Sequence, residues 1–328
     1  MSQNLTPMEP LSVGNVVTAA LRIYRDHFKS YFGLAILASL WSSIPFLVII
    51  PVTLLFILFV FLQSETPILF ALIPLWLLLL LYCLGKSIVN GAIIARLVFG
   101  ELTNQPETVK NARQIISRKI WSFLLAYFLL FLIVIGVLLG VSLGVSLGLS
   151  LAELIFGFVI IALGSAIKPN YLPIGIIGGI IILIRIVTFA VALRFFIRLL
   201  PRFFVFDMPL VIEENVSASQ TIGRSWKLTK GYVGKIFAIW LVATLVSLPF
   251  LIIIQIIAGI IQAVLSANLP VETTDPNFEF LSFLIAYTLG IFSNILLLPF
   301  WQAIKAVIYY DLRTRREGMR LELRKREV

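Results

Sequence analysis

The chain has 328 residues, of which 60% are hydrophobic and only 13% are charged, with a formal net charge of +10. This balance lies well outside the soluble norm and predicts an integral membrane protein. The apolar stretches run far past ten residues without alternation, which argues against an outer-membrane barrel.

The first thirty residues hold "MEPLSVGNVV" and a charged helix rather than a basic tip and an apolar core, so the N-terminus is expected to be retained. Their period is helical: Val13, Val16, Val17, Ala20, Leu21, Tyr24 and Phe28 share one face, and Asn15, Arg22, Arg25, Asp26 and Lys29 the other. Two apolar runs follow, Tyr31 to Leu62 and Ile68 to Phe99, each longer than the ~20 residues a crossing needs. The single cysteine, Cys83, lies in the second, so neither a disulfide framework nor a thiolate cluster forms within one chain.

A second polar helix, carrying Lys110 and Arg113, precedes the run from Trp121 to Ile167. As one straight helix that run would be about 70 Å long. One crossing followed by a re-entrant or interfacial segment around Leu149 to Ser165 is therefore expected. The run from Leu172 to Ile197 contains Arg185, placed near the midplane by its distance from the start of the span. A third polar helix, "IGRSWKLTKGY", sets Ala218, Ile222 and Trp226 opposite Arg224 and Lys227, and Ser217 with Gln220 predicts a capping box. The runs Val233 to Leu265 and Phe280 to Ile308 bring the expected spans to six. The tail "RTRREGMRLELRKREV" reads as a solvated helical extension of the last span.

All 26 basic residues except Lys86, Lys168 and Arg185 lie in four zones that alternate with acidic or neutral connections. Short basic loops stay cytoplasmic, so both termini are expected there. Asn15 to Phe46 aligns without a gap over Ser219 to Phe250, with Pro45 over Pro249, and a looser third copy starts at Asn104. The expected fold is an all-α integral membrane domain: six transmembrane helices as three repeats of a cytoplasmic amphipathic helix plus a two-span hairpin. The repeats are 12-100, 104-212 and 216-313, with 314-328 a basic tail.

Three groups of residues invite a functional reading. Arg22, Arg25, Lys29, Lys110, Arg113, Arg224, Lys227, Lys230, Arg313, Arg315 and Arg316 are placed to meet anionic head groups of the cytoplasmic leaflet, the apolar sides of their helices packing on neighbouring spans first and lying on lipid second. Arg185 is the one clear intramembrane cation, and Glu153 is the acid available to pair with it inside the bundle or line a polar path. Gly136, Gly140, Gly144 and Gly148 recur every four residues and make a packing seam, within the chain first and between copies second. No HExxH, GxSxG or CxxC occurs, and the only histidine, His27, lies on a polar face. No catalytic, metal or cofactor site is expected, and the basic helices are too short for strong nucleic-acid binding.

The stretches "LSVGNVVTAALRIYRDHF", "GRSWKLTKGY" and "VIYYDLRTRREGMRLEL" resemble the membrane-domain family found beside glycerophosphoryl diester phosphodiesterases, and related bacterial multi-span proteins. The resemblance is strongest at Arg224, Ser225, Trp226 and Gly231, and at Tyr310, Asp311, Leu312, Arg313, Glu317 and Gly318. It implies a helical membrane domain without the phosphodiesterase barrel, in a bacterial inner or other internal membrane. The expected role is non-catalytic: organising lipids, protein partners or further copies of the chain. A transporter, channel or lipid-moving protein with a polar site near Arg185 is the alternative.

Overall fold

A computed structural model describes residues 11–61, 67–164, 174–268 and 275–318. Every regular element among them is a helix: α1 (Val13–Asp26), α2 (Phe28–Phe61), α3 (Pro67–Leu102), α4 (Val109–Ser117), α5 (Ile120–Gly164), α6 (Ile174–Phe203), α7 (Met208–Ile212), α8 (Ala218–Thr229), α9 (Val233–Asn268) and α10 (Pro276–Glu317). Five stretches are long and apolar enough to cross a membrane: Phe28–Ile49, Ile73–Leu102, Ile120–Ile155, Val233–Asn268 and Phe278–Glu317. The expected sixth run corresponds to α6, which is not one of the five. This composition is compatible with an integral membrane protein.

The short helices begin where side chains satisfy amides that have no intrahelical acceptor. Ser12 Oγ accepts from the Asn15 amide at 3.2 Å, and Thr108 Oγ1 from the Asn111 amide at 3.3 Å. At α8 the capping box is complete, with Ser217 and Gln220 each accepting from the other's backbone amide. Gly231, between α8 and α9, has φ +85, a left-handed conformation that a side chain would strain.

The core gathers at one end of the bundle. There Val16, Ala20 and Ile23 of α1, Ile93 and Ile94 of α3, Ala112 and Ile116 of α4, Ile236 and Ile239 of α9, and Ile304 and Ile308 of α10 are all buried. This is also where the basic residues cluster, and we call it the basic end. Away from it the long helices expose leucine, isoleucine and phenylalanine, as Leu132, Leu139 and Leu147 do on α5. Such surfaces are compatible with an apolar surrounding.

Three readings are decided by the packing. The apolar sides of α1, α4 and α8 take the first of the two covers open to them and pack into the protein. On α8 the buried face is Ala218, Thr221, Ser225 and Leu228, while Trp226 is 39% exposed. Thr221 and Ser225 point inward because their hydroxyls donate to the carbonyls of Phe206 and Arg202 at 2.7 and 2.8 Å. Second, α5 continues as one helix to Gly164, so the chain does not turn back from Leu149 onward. No proline interrupts it, and breaking it in an apolar medium would leave amides and carbonyls without partners; Ser165 lies outside the described residues. Third, Gly136, Gly140, Gly144 and Gly148 are exposed, and a Cβ at any of them would meet nothing within 4 Å. The seam is therefore not an intramolecular one among the described residues.

A close glycine contact between long helices lies elsewhere. A Cβ on Gly85 of α3 would fall 2.8 Å from Ile120 Cγ1 and 2.9 Å from its Cδ1. We expect Gly85→Leu to destabilise the α3–α5 contact by about 1–3 kcal/mol through overpacking, and Gly140→Leu to leave monomer stability unchanged. Thermal unfolding of both variants in detergent compares them directly; equal losses would contradict the packing described here.

Candidate functional site

The segment "FVFDMPLVIEEN" connects α6 to α8 but is too apolar for a solvated loop. Val205, Phe206, Met208, Leu210 and Val211 are buried, and Pro209 favours the first turn of α7 because it lacks the amide that would go unpaired there. A helix this short leaves its polar groups open inside the protein, so charged side chains from neighbouring helices close them. Lys119 Nζ donates to the Leu210 and Glu213 carbonyls at 3.0 and 2.7 Å, and Arg96 Nη1 to the Val211 carbonyl at 3.1 Å. Arg96 also grips Glu107 through two bonds of 2.8 Å. Burial, reinforced by Arg96, lowers the Lys119 pKa, while Glu214 and Glu213 oppose the shift.

Carboxylates flank α7 at both ends. Asp207 is buried, and its Oδ2 accepts from Lys305 Nζ at 2.9 Å and from the Tyr127 hydroxyl at 3.2 Å. Glu213 Oε1 accepts from the Tyr309 hydroxyl at 2.6 Å and from two Arg224 nitrogens at 3.1 Å. Arg224 reaches on to Glu317 at 2.5 Å, which Arg313 holds from one turn back at 2.9 Å.

A further carboxylate ties the start of α1 to α9 and to the end of α10. Asp311 accepts from Lys235 Nζ at 2.5 Å, from Arg315 Nε at 3.0 Å and from the Leu11 amide at 3.1 Å. Nearby, Arg316 donates to the Lys230 carbonyl, and the Tyr232 ring lies beneath both Arg315 and Arg316. The stretches "GRSWKLTKGY" and "VIYYDLRTRREGM", far apart in sequence, are thus fastened to each other. These ion pairs lock helices together, and the positions of their charges are set by several partners at once.

The predicted head-group residues separate into two sets. Arg224, Arg313, Arg315 and Arg316 are engaged by protein partners, because α8 and α10 meet where their basic faces were expected to be free. Arg25, Lys29, Lys110, Arg113, Lys227 and Lys230 remain exposed, and Arg22 is half-buried, 3.9 Å from Asp26. The remaining predicted pair is present in a changed setting: Arg185 Nη2 lies 3.0 Å from Glu153 Oε1, with the two side chains 62% and 46% exposed on the flank of α5 and α6. About 39 Å of helix separates Glu153 from Tyr127 at the basic end. His27 sits 3.4 Å from Glu101 and stacks on Tyr31.

Sequence reasoning missed α7 and the buried roles of Asp207, Lys305, Lys235 and Asp311. Two signals were available: an apolar run inside a supposed loop, and Lys305 standing alone in the otherwise apolar end of the last run. It also missed a polar seam of buried serines and amides, Ser39 and Ser43 on α2, Asn90 on α3 and Gln302 on α10. Asn294 Nδ2 donates to Ser39 Oγ across that contact at 3.2 Å. Asp207 Oδ1 and Gln302 Oε1 are buried acceptors without a protein donor.

A last feature lies between α6 and α9. Leu200, Pro201, Phe204, Phe237 and Trp240 line an apolar slot of about 130 Å³. Beside it the Arg202 guanidinium stacks 4.0 Å from the centre of the Trp226 ring, with its buried Nε lacking an acceptor. Compared with known protein families, with characterised proteins and with solved structures, the chain matches none.

Proposed function

We propose that this is a non-catalytic polytopic membrane protein that organises anionic lipids, and with them protein partners, around its basic end. One observation carries the reading. Glu107, Asp207, Glu213, Asp311 and Glu317 are drawn into internal ion pairs, whereas Arg25, Lys29, Lys110, Arg113, Lys227 and Lys230 are left on the exterior. Those six cations therefore face outward where the long apolar helices end, the depth at which lipid phosphates lie. On this proposal the basic end faces the cytoplasm, with α6 as a sixth span and the membrane that of a bacterial cell. The order of one short helix and two long ones is met as α1–α3, α4–α6 and α8–α10, with α7 an extra short helix before the third group, and this supports the three-repeat reading. The docking of the two segments in which the family resemblance is strongest is consistent with a shared membrane domain.

The alternative, transport or lipid movement at Arg185, draws less support. Its ion pair lies on an exposed flank beside an open hollow lined by Ser150, Leu154, Gly157 and Phe158. With Tyr127 at one membrane boundary, the pair falls toward the opposite boundary rather than the midplane.

The test is the lipid composition of polymer-excised native discs. Discs around the wild-type chain should be richer in anionic lipid than the bulk membrane. The sixfold variant R25E/K29E/K110E/R113E/K227E/K230E, which leaves the buried pairs untouched, should lose that enrichment. Bulk composition around the wild type would refute the proposal.

A further inference from the structure

We propose that the flank where Arg185 meets Glu153 is a binding site, rather than a transport path, for one zwitterionic phospholipid with a primary ammonium, phosphatidylethanolamine. It rests on the same membrane reading as the anionic shell but lies on the part of α5 remote from the basic end. Glu153, Leu154, Gly157 and Phe158 follow Ser150 at intervals that return to one face of α5, and these five residues line one open hollow. Ser150 and Gly157 keep its floor low, and a Cβ on Gly157 would meet nothing within 4 Å. Leu143, Ser146 and Leu147 continue the same face toward the basic end, and all three are exposed.

Glu153 is the one charged residue of α5, and Arg185 Nη2 donates to its Oε1 at 3.0 Å. That bond uses one guanidinium N–H and one carboxylate oxygen; the remaining donors of Arg185 and the second oxygen of Glu153 have no protein partner among the described residues. Polar groups left open beside lipid call for a polar ligand. Side by side, these two offer donors to a phosphate and an acceptor to an ammonium, the two charges of a zwitterionic head group. The quaternary ammonium of phosphatidylcholine has no N–H to give Glu153, and phosphatidylglycerol carries no cation to offset it. Depth agrees: about 39 Å of helix from Tyr127 exceeds the ~30 Å apolar core, so with Tyr127 at one boundary the pair reaches the polar layer of the far leaflet. Acyl chains then run back along Leu147 and Leu143 toward the membrane centre. A soluble zwitterion would use the ion pair alone; the exposed leucines on the same face commit the site to a lipid.

The experiment is native mass spectrometry of the full chain in detergent, titrated with phosphatidylethanolamine, phosphatidylcholine or phosphatidylglycerol of matched acyl chains, and with soluble glycerophosphoethanolamine. One phosphatidylethanolamine per chain should be retained, at least tenfold more tightly than either other lipid, and the soluble head group should not displace it. Arg185→Gln should cut phosphatidylethanolamine affinity at least tenfold, whereas Glu153→Gln should erase its advantage over phosphatidylcholine. Both side chains are exposed, so the fold survives either change. Gly157→Leu, which fills the floor and leaves the ion pair in place, should abolish retention. Equal retention of the three lipids, or unchanged affinity in Arg185→Gln and Gly157→Leu, would overturn the site, as would displacement by glycerophosphoethanolamine, which would assign it to a free zwitterion. In the sixfold variant the anionic shell should be lost and this lipid kept. A normal shell around a chain that retains no phosphatidylethanolamine would refute this site and leave the shell standing.

Discussion

Lys305→Met is expected to destabilise the chain by about 3–5 kcal/mol, because it leaves the Asp207 carboxylate buried without its cation. Asp207 is only 4% exposed, and its remaining donor is the Tyr127 hydroxyl at 3.2 Å. Water cannot replace the ammonium without opening the α5–α7–α10 contact. The expected readout is a lower unfolding temperature in detergent and a smaller monodisperse fraction. Adding Asp207→Asn should restore part of the loss, since the neutral amide keeps an acceptor for Tyr127 and needs no counter-charge. A Lys305→Met protein as stable as the wild type would show that this pair does not hold α7.

Asp311→Ala should cost about 3 kcal/mol, for a different reason: one carboxylate holds three segments, so its loss leaves Lys235 and Arg315 without it and frees the Leu11 amide. The start of α1 should loosen selectively, seen as faster protease cleavage near Leu11 before global unfolding. Asp311→Asn keeps an acceptor and should give an intermediate result. Arg25→Ala, by contrast, removes an exposed contact of 3.6 Å to Asp26 and should change stability by less than about 0.5 kcal/mol. If Asp311→Ala and Arg25→Ala were equally mild, the clasp at the chain ends would carry no stability.

The short helices were legible in the sequence because their starts are chemical: Ser12, Thr108 and Ser217 precede periodic segments and cap them. What covers an apolar face was not legible. Periodicity reports that Val16, Val17 and Ala20 share a side, but lipid and protein satisfy that side equally well until the tertiary neighbours are known. On α8 hydrophobicity pointed to Trp226 as the inward residue, whereas Thr221 and Ser225 won the interior through bonds to carbonyls of the preceding segment. Length misled at α5, since a helix without proline need not end where a membrane does. The partner of Arg185 could be read from the scarcity of acids around it; that the pair lies on an outer flank depended on how α5 and α6 leave the basic end.

The same logic explains why the buried charges escaped notice. Lys305, Asp311 and Lys235 each look like the solvated edge of an apolar run; α7 brings Asp207 against Lys305, and the start of α1 brings the Leu11 amide against the Asp311–Lys235 pair.

The most direct measurement uses spin-labelled lipids: the association constant of an anionic lipid relative to phosphatidylcholine for the first shell around the reconstituted chain, by electron paramagnetic resonance. The proposal predicts a several-fold preference for the anionic lipid that falls with added salt and disappears in the sixfold charge-reversed variant. Equal association of the two lipids with the wild-type chain would contradict it.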